Sequence, residues 1–198
     1  MSLRFSYTLI APFYDAVIAR ASARARAQSL NSLTPAQAQL VLINGIGTGL
    51  DVPHLPPGPS YFGLDLTRAM LERAKPRASG VEISFVQGDA LELPFRDDCF
   101  DYVVLHLILA VVPQPVRCLR ETARVLKPGG EVLLLDKFLR RGERAWVRKA
   151  LNPISSRVAT RLDVVLEQVL AEVPALKLTA DEPALLGGWF RRARLVKN

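Results

Sequence analysis

Apolar and polar positions fall into two alternating textures along the first 136 residues. Five short apolar runs, Gln39–Asn44, Tyr61–Asp65, Glu82–Gln87, Phe100–Leu107 and Glu131–Asp136, are bounded by turn residues. Near-continuous runs of that length read as strands buried on both faces. Between them lie helical patterns. Pro12–Leu33 carries Val17, Ala21, Ala25 and Leu30 at helical spacing, and Thr67–Lys75 opens on Thr67 as a plausible cap. A third helix opens at Pro113 and Pro115, runs to Leu126 and stops at the turn Lys127-Pro128-Gly129-Gly130. After the first strand, Pro53, Pro56, Pro57 and Pro59 leave room only for a short helix. Beyond Phe138 the pattern predicts helices over 141–151 and 155–172. Two strands follow, Leu176–Thr179 and Trp189–Val196, separated by Pro183 and Gly187-Gly188. Together these elements predict an α/β fold, a Rossmann-like doubly wound sheet of about seven strands, mostly parallel with an antiparallel C-terminal strand.

With 198 residues, 49% of them apolar, the chain suits one domain and is short for two. We divide that single domain, 1–198, into an N-terminal helical lid (1–36), a core (37–138) and a basic C-terminal part (139–198). The two cysteines, Cys99 and Cys118, have neither metal-ligand spacing nor the density of a secreted disulfide scaffold, so we expect reduced thiols and no metal site. The N-terminal apolar stretch is broken by Ser6, Thr8 and Pro12, unlike a signal peptide. The longest apolar run, Tyr102–Val112, contains His106 and falls well short of the ~18 residues of a membrane span. A soluble, cytoplasmic protein is expected.

Charge adds one feature. Residues 1–136 hold 13 Lys/Arg and 13 Asp/Glu, whereas residues 137–198 hold 13 and 6, so the net +7 sits wholly in the last third. A localised basic surface fits an anionic partner, a phospholipid membrane or a nucleic acid. Nucleic acid is disfavoured: the fourth strand ends Leu105-His106-Leu107-Ile108, without an Asn-Pro-Pro-aromatic grip for a flipped base, and no aromatic stacking platform is visible.

Candidate chemistry collects at the strand ends, where open parallel sheets bind ligands. The first strand runs into Gly45-Ile46-Gly47-Thr48-Gly49, whose alternating glycines let a ligand approach the backbone closely. Gly63-Leu64-Asp65 ends the second strand, placing a carboxylate where both hydroxyls of a ribose could donate to it. Gln87-Gly88-Asp89-Ala90 follows the third strand, with a carboxylate able to accept from an adenine amino group. The glycine spacing differs from the Gly-x-Gly-x-x-Gly favoured for a pyrophosphate, whereas the Asp65 feature alone is shared by NAD and S-adenosylmethionine folds. The spacing Gly-x-Gly-x-Gly, Asp65, Asp89, Phe100-Asp101 and Lys127-Pro128-Gly129-Gly130, in this order, resembles the class I S-adenosylmethionine-dependent methyltransferases over residues 7–138. Within that superfamily, Tyr7-x6-Tyr14-Asp15, Gly45–Leu50, the Asp65-Leu66-Thr67-x-x-Met70-Leu71 segment and Val111-Val112-Pro113-Gln114-Pro115 look most like the bacterial phosphatidylethanolamine N-methyltransferases. The quinone methyltransferases share most of these motifs.

The resemblance implies S-adenosyl-L-methionine as cofactor and a lipid or small-molecule methyl acceptor. It assigns Gly45, Gly47 and Gly49 to the methionine pocket with Asn44, Ile46 and Leu105 beside it, Asp65 to the ribose, Leu66 and Met70 to its apolar flank, and Gly88, Asp89 and Ala90 to the adenine. Tyr7 and Tyr14 would close over the sulfonium, or else staple the first helix. His106, Tyr14 and Asp136 are candidate proton acceptors for an attacking amine. One departure stands out: the family's acidic residue two positions before the first glycine is replaced by Ile43, and Asn44 points to the opposite face of the strand. The basic stretch 137–149, which includes Trp146, suits a helix lying on an anionic membrane or a solvated cap over the site.

Overall fold

The computed structural model describes residues 22–33, 39–139, 164–185 and 188–198. A helix over residues 22–30 (α1) precedes strand β1 (Leu40–Asn44), β2 (Ser60–Asp65), helix α2 (Arg68–Ala74), β3 (Ile83–Gln87) and β4 (Phe100–His106). Helix α3 (Pro115–Val125), β5 (Leu126–Lys137), α4 (Leu166–Ala171), β6 (Leu176–Leu185) and β7 (Phe190–Lys197) follow. The seven strands are ordered β3-β2-β1-β4-β5-β7-β6; β1 to β5 are parallel and β7 runs antiparallel to both its neighbours, the expected sheet. The chain winds outward from β1 to β3 and then crosses to β4 on the other side of β1. The ends of β1 and β4 therefore flank a crevice, the switch point at which such sheets hold ligands.

Each face of the sheet is covered. On one side α1 and α2 bury Leu30, Leu33, Ile43, Leu71, Val104 and Leu133 in one apolar cluster. On the other, α3 and α4 bury Leu42, Leu105, Cys118, Leu119, Leu134 and Leu166. Strand side chains alternate, which is why adjacent Leu42 and Ile43 serve opposite faces. Truncating a fully buried leucine here, such as Leu119, costs roughly 2–5 kcal/mol. Asp101 fastens the β4 entry: its carboxylate accepts from the Leu40 amide (2.8 Å) and pairs with Lys127 (2.7 Å).

Two elements differ from expectation. The turn 127–130 lies inside β5: pairing jumps from Phe100 with Leu126 to Tyr102 with Glu131, so these residues form a bulge on a continuous strand. Pro183, expected between strands, lies within β6; β6 is the sheet edge, where the missing proline N–H costs no ladder bond, and the register shifts beside it. Of the predicted helices, 12–21, 141–151 and 155–163 fall outside the described residues, as does Trp146.

Candidate active site

The glycine turn caps β1. Gly45, Gly47 and Gly49 have φ of 79°, 55° and 81°, left-handed values that L side chains rarely adopt. Their surroundings differ. A Cβ on Gly45 would collide with Ile108 Cδ1 and one on Gly49 would lie 3.0 Å from the Ala74 backbone, whereas one on Gly47 would meet nothing within 4 Å. Two glycines thus permit close packing, and the middle one faces open space.

Asp65 at the end of β2 looks onto that space. Its Oδ2 accepts from the Gly47 amide (3.0 Å) and its Oδ1 from the Thr67 amide (2.9 Å) and hydroxyl (3.2 Å). Burial pushes the Asp65 carboxyl up, and these donors partly offset it. A carboxylate has about four acceptor positions, so Oδ2 keeps one free and Oδ1 can release the long hydroxyl bond. A ribose with two hydroxyl donors fits that remaining capacity, and the uncrowded Gly47 fits a ligand laid across the turn. Beside it Met70 is buried and Leu66 is 36% exposed, an apolar flank open to solvent.

At the β3 end, Gly88 packs tightly, since a Cβ there would sit 2.9 Å from Leu64 Cδ1. Asp89 is exposed, its Oδ1 accepting from the Leu91 amide (2.9 Å), and Ala90 is buried. The Asp89 carboxylate is thus oriented at the rim with acceptor capacity to spare.

The remaining predicted residues sit deeper. Ile46 turns its side chain over Gly63 into the core, where a Cβ on that glycine would be 2.5 Å from Ile46 Cδ1, and Leu105 is fully buried. Asn44 is fully buried on the α3 side; its Nδ2 lies 3.9 Å from Cys118 Sγ and its Oδ1 has no partner among the described residues. Burial, reinforced by Asp89, Asp136 and Glu121, pushes the Cys118 thiol up to about 12, so it stays protonated and unreactive. Tyr7 and Tyr14 lie outside the described residues.

His106 and Asp136 end β4 and β5. Both oxygens of the fully buried Asp136 accept backbone amides, Ala110 to Oδ2 (3.0 Å) and Lys137 to Oδ1 (2.7 Å), yet burial still pushes its carboxyl up to about 6. The Ala110 bond holds the loop after β4, in which Leu107 takes a left-handed φ of 62°. Both nitrogens of the buried His106 are committed: Nδ1 is 2.7 Å from Asp51 Oδ1 and Nε2 3.0 Å from Ser29 Oγ. Arg26 Nη1 also reaches Asp51 Oδ1 at 2.8 Å. Burial alone would raise the Asp51 carboxyl, but Arg26 and His106 outweigh it and hold the group well below the usual carboxylate range. Sequence reasoning did not find Ser29, Arg26 or Asp51, whose pairing across 77 and 55 positions leaves no local pattern.

Among the described residues no group of three or more potential ligands could hold a metal ion.

Comparison with known proteins agrees with this arrangement. Residues 42–134 match the family model described as "Methyltransferase domain". A phosphatidylethanolamine N-methyltransferase from Cereibacter sphaeroides is 36% identical over 163 residues, 80% of each chain. A demethylmenaquinone methyltransferase from Staphylococcus aureus is 45% identical over 75 residues, 37% of this chain and 31% of that enzyme. In fold, an S-adenosylmethionine-dependent methyltransferase from Thermotoga maritima superposes with a TM-score of 0.70 at 20% identity, over 98% of this chain and 99% of that one. The glycine turn, the oriented Asp65 and these likenesses converge: the chain belongs to the class I S-adenosylmethionine-dependent methyltransferases.

Proposed function

We propose that this methyltransferase N-methylates the head-group amine of a phospholipid such as phosphatidylethanolamine. The observation that carries the reading is the breadth of the likeness to the phosphatidylethanolamine enzyme, which extends over 80% of both chains. Charge supports it: residues 140–163 hold 7 Lys/Arg against 2 Asp/Glu, so +5 of the net +7 lies in one stretch suited to an anionic lipid surface. Among the described residues no helix is long and apolar enough to cross a membrane; the proposal has the basic stretch bring the enzyme to its substrate peripherally, at the cytoplasmic face.

In this reading Gly45, Gly47 and Gly49 with Asn44 shape the methionine pocket, Asp65 holds the ribose, Leu66 and Met70 flank it, and Gly88, Asp89 and Ala90 face the adenine. Tyr7 and Tyr14 close over the sulfonium. The cofactor, when bound, supplies a methyl on a positively charged sulfur. Transfer is an in-line displacement, for which positioning and exclusion of water provide most of the acceleration. An amine must first lose its proton. His106 has both nitrogens engaged, which leaves Tyr14 and the buried Asp136, whose carboxyl is raised to about 6, as the candidate proton acceptors.

A second reading, methylation of a quinone or other small metabolite, is favoured by the 45% identity to the menaquinone enzyme, though over a much shorter segment. A cofactor-binding protein of low activity is the third. Incubation with methyl-labelled cofactor and vesicles containing phosphatidylethanolamine separates them. The proposal predicts label in methylated phospholipid, with vesicle binding that weakens as salt rises. Label confined to a quinone fraction, or cofactor binding without transfer to either acceptor, rejects it.

A further inference from the structure

The buried chain Arg26–Asp51–His106–Ser29 joins three places that bear on the cofactor crevice. Asp51 stands two residues beyond Gly49, where the glycine turn passes into a 3-10 turn over Val52–His54. His106 ends β4 immediately before the left-handed Leu107, and the next residue, Ile108, lies directly over Gly45. Arg26 and Ser29 belong to α1. Each of the four residues is at most 6% exposed, so the network lies in a low-dielectric setting in which its bonds are strengthened. An ionised Asp51 can only accept, so His106 Nδ1–H donates to it, while Nε2 hydrogen-bonds the Ser29 hydroxyl. Arg26 supplies the compensating charge and in turn donates from Nε to Ser22 Oγ at 3.0 Å.

We propose that this network is a latch through which helix α1 sets the separation of the two crevice walls, making Ser29, His106, Asp51 and Arg26 positioning residues for cofactor binding. Two of the contacts between the β1 loop and the β4 loop bear on the crevice. One is the apolar contact of Gly45 with Ile108. The other is the Asp51–His106 bond, and α1 closes it from behind through Arg26 and Ser29. With both contacts fixed, the glycine turn cannot shift relative to Ile108 without straining the buried Asp51–His106 hydrogen bond. His106 acts here through the walls it holds and donates nothing to the substrate. Loosening the latch leaves the strands intact but widens the ensemble of crevice shapes, so binding of the cofactor must first restore the right one.

Calorimetric titration of the 198-residue chain with S-adenosylhomocysteine, paired with steady-state kinetics, tests this. Ser29→Ala removes one hydroxyl and is predicted to weaken binding by about 3- to 10-fold, with an unchanged far-UV spectrum and a loss carried by KM for S-adenosylmethionine more than by kcat. Ser29→Thr keeps the hydroxyl and restores affinity to within about 2-fold. Asp51→Asn is predicted to weaken binding by about 10-fold or more. Wild-type affinity in folded Ser29→Ala, or equal losses in the alanine and threonine variants, overturns the proposal. Should Asp51→Asn fail to fold, the Ser29 pair decides the question by itself.

Discussion

Replacing Asp65 by Asn is the most informative single change at the crevice because the structure makes it far from conservative. The two carboxylate oxygens each accept a backbone amide, Gly47 at 3.0 Å and Thr67 at 2.9 Å. A carboxamide has one oxygen and one NH2 group. Whichever way it is turned, its NH2 opposes an N–H, leaving a part-buried donor unsatisfied at a cost of roughly 1–3 kcal/mol to the folded protein. The same side chain loses one charged acceptor for the ribose, worth roughly 1.5–3 kcal/mol in binding, or about 10- to 150-fold in Kd. Calorimetry with S-adenosylhomocysteine reads the second quantity and thermal melting the first. Binding within about 3-fold of wild type would remove Asp65 from the ribose site; an unchanged melting temperature would mean the Gly47 and Thr67 bonds contribute little.

Gly47→Ala separates pocket from fold: the left-handed φ costs ~1 kcal/mol, while the new Cβ meets no protein atom and occupies ligand space, so affinity should fall by about 10-fold or more with only a small drop in melting temperature. Unchanged affinity would place the cofactor elsewhere. Asp136 is protonated more readily folded than unfolded, near 6 against 3.8, so the folded state holds the extra proton between those values and this group's stabilisation declines as pH rises through them, by on the order of 3 kcal/mol. Melting curves of wild type and Asp136→Asn from pH 4 to 7 should therefore converge or cross as pH rises; a constant offset refutes the assignment. Asp51 has the opposite sign: depressed in the fold, it stabilises above its unfolded pKa near 4 and that contribution disappears only on further acidification. Ile43→Asp should not improve binding: Ile43 is 1% exposed among Leu30, Val104 and Leu133, so a carboxylate there costs at least about 3 kcal/mol and lowers the melting temperature by roughly 6–12 °C. Tighter cofactor binding in a stable Ile43→Asp variant would contradict this packing.

The alternation of strands and helices, the crevice at the strand ends and its glycine turn were legible because each is written locally. An apolar run, three alternating glycines and an aspartate 20 residues after Gly45 suffice to mark β1, its loop and the end of β2. Two errors of element extent have local causes too. Lys127-Pro128-Gly129-Gly130 has turn chemistry, and Gly129 does adopt φ of 74°, but β4 pairs on both sides of it, so the turn is a bulge in β5. Pro183 breaks a central strand and is harmless at an edge, a distinction that needs the strand order. The buried polar network was illegible for another reason: Ser29, Asp51 and His106 meet only after α1 packs on the sheet. Read alone, His106 at a strand end fits a proton acceptor; in the fold its two nitrogens are already committed.

Backbone hydrogen exchange with and without S-adenosylhomocysteine tests most directly whether one rim of the sheet cradles the adenosyl group. The account predicts slowed exchange in peptides covering 45–49, 65–67 and 88–91, with no change along the edge strand β6. Saturating ligand that leaves the first three segments unprotected, or protects β6 instead, would contradict it.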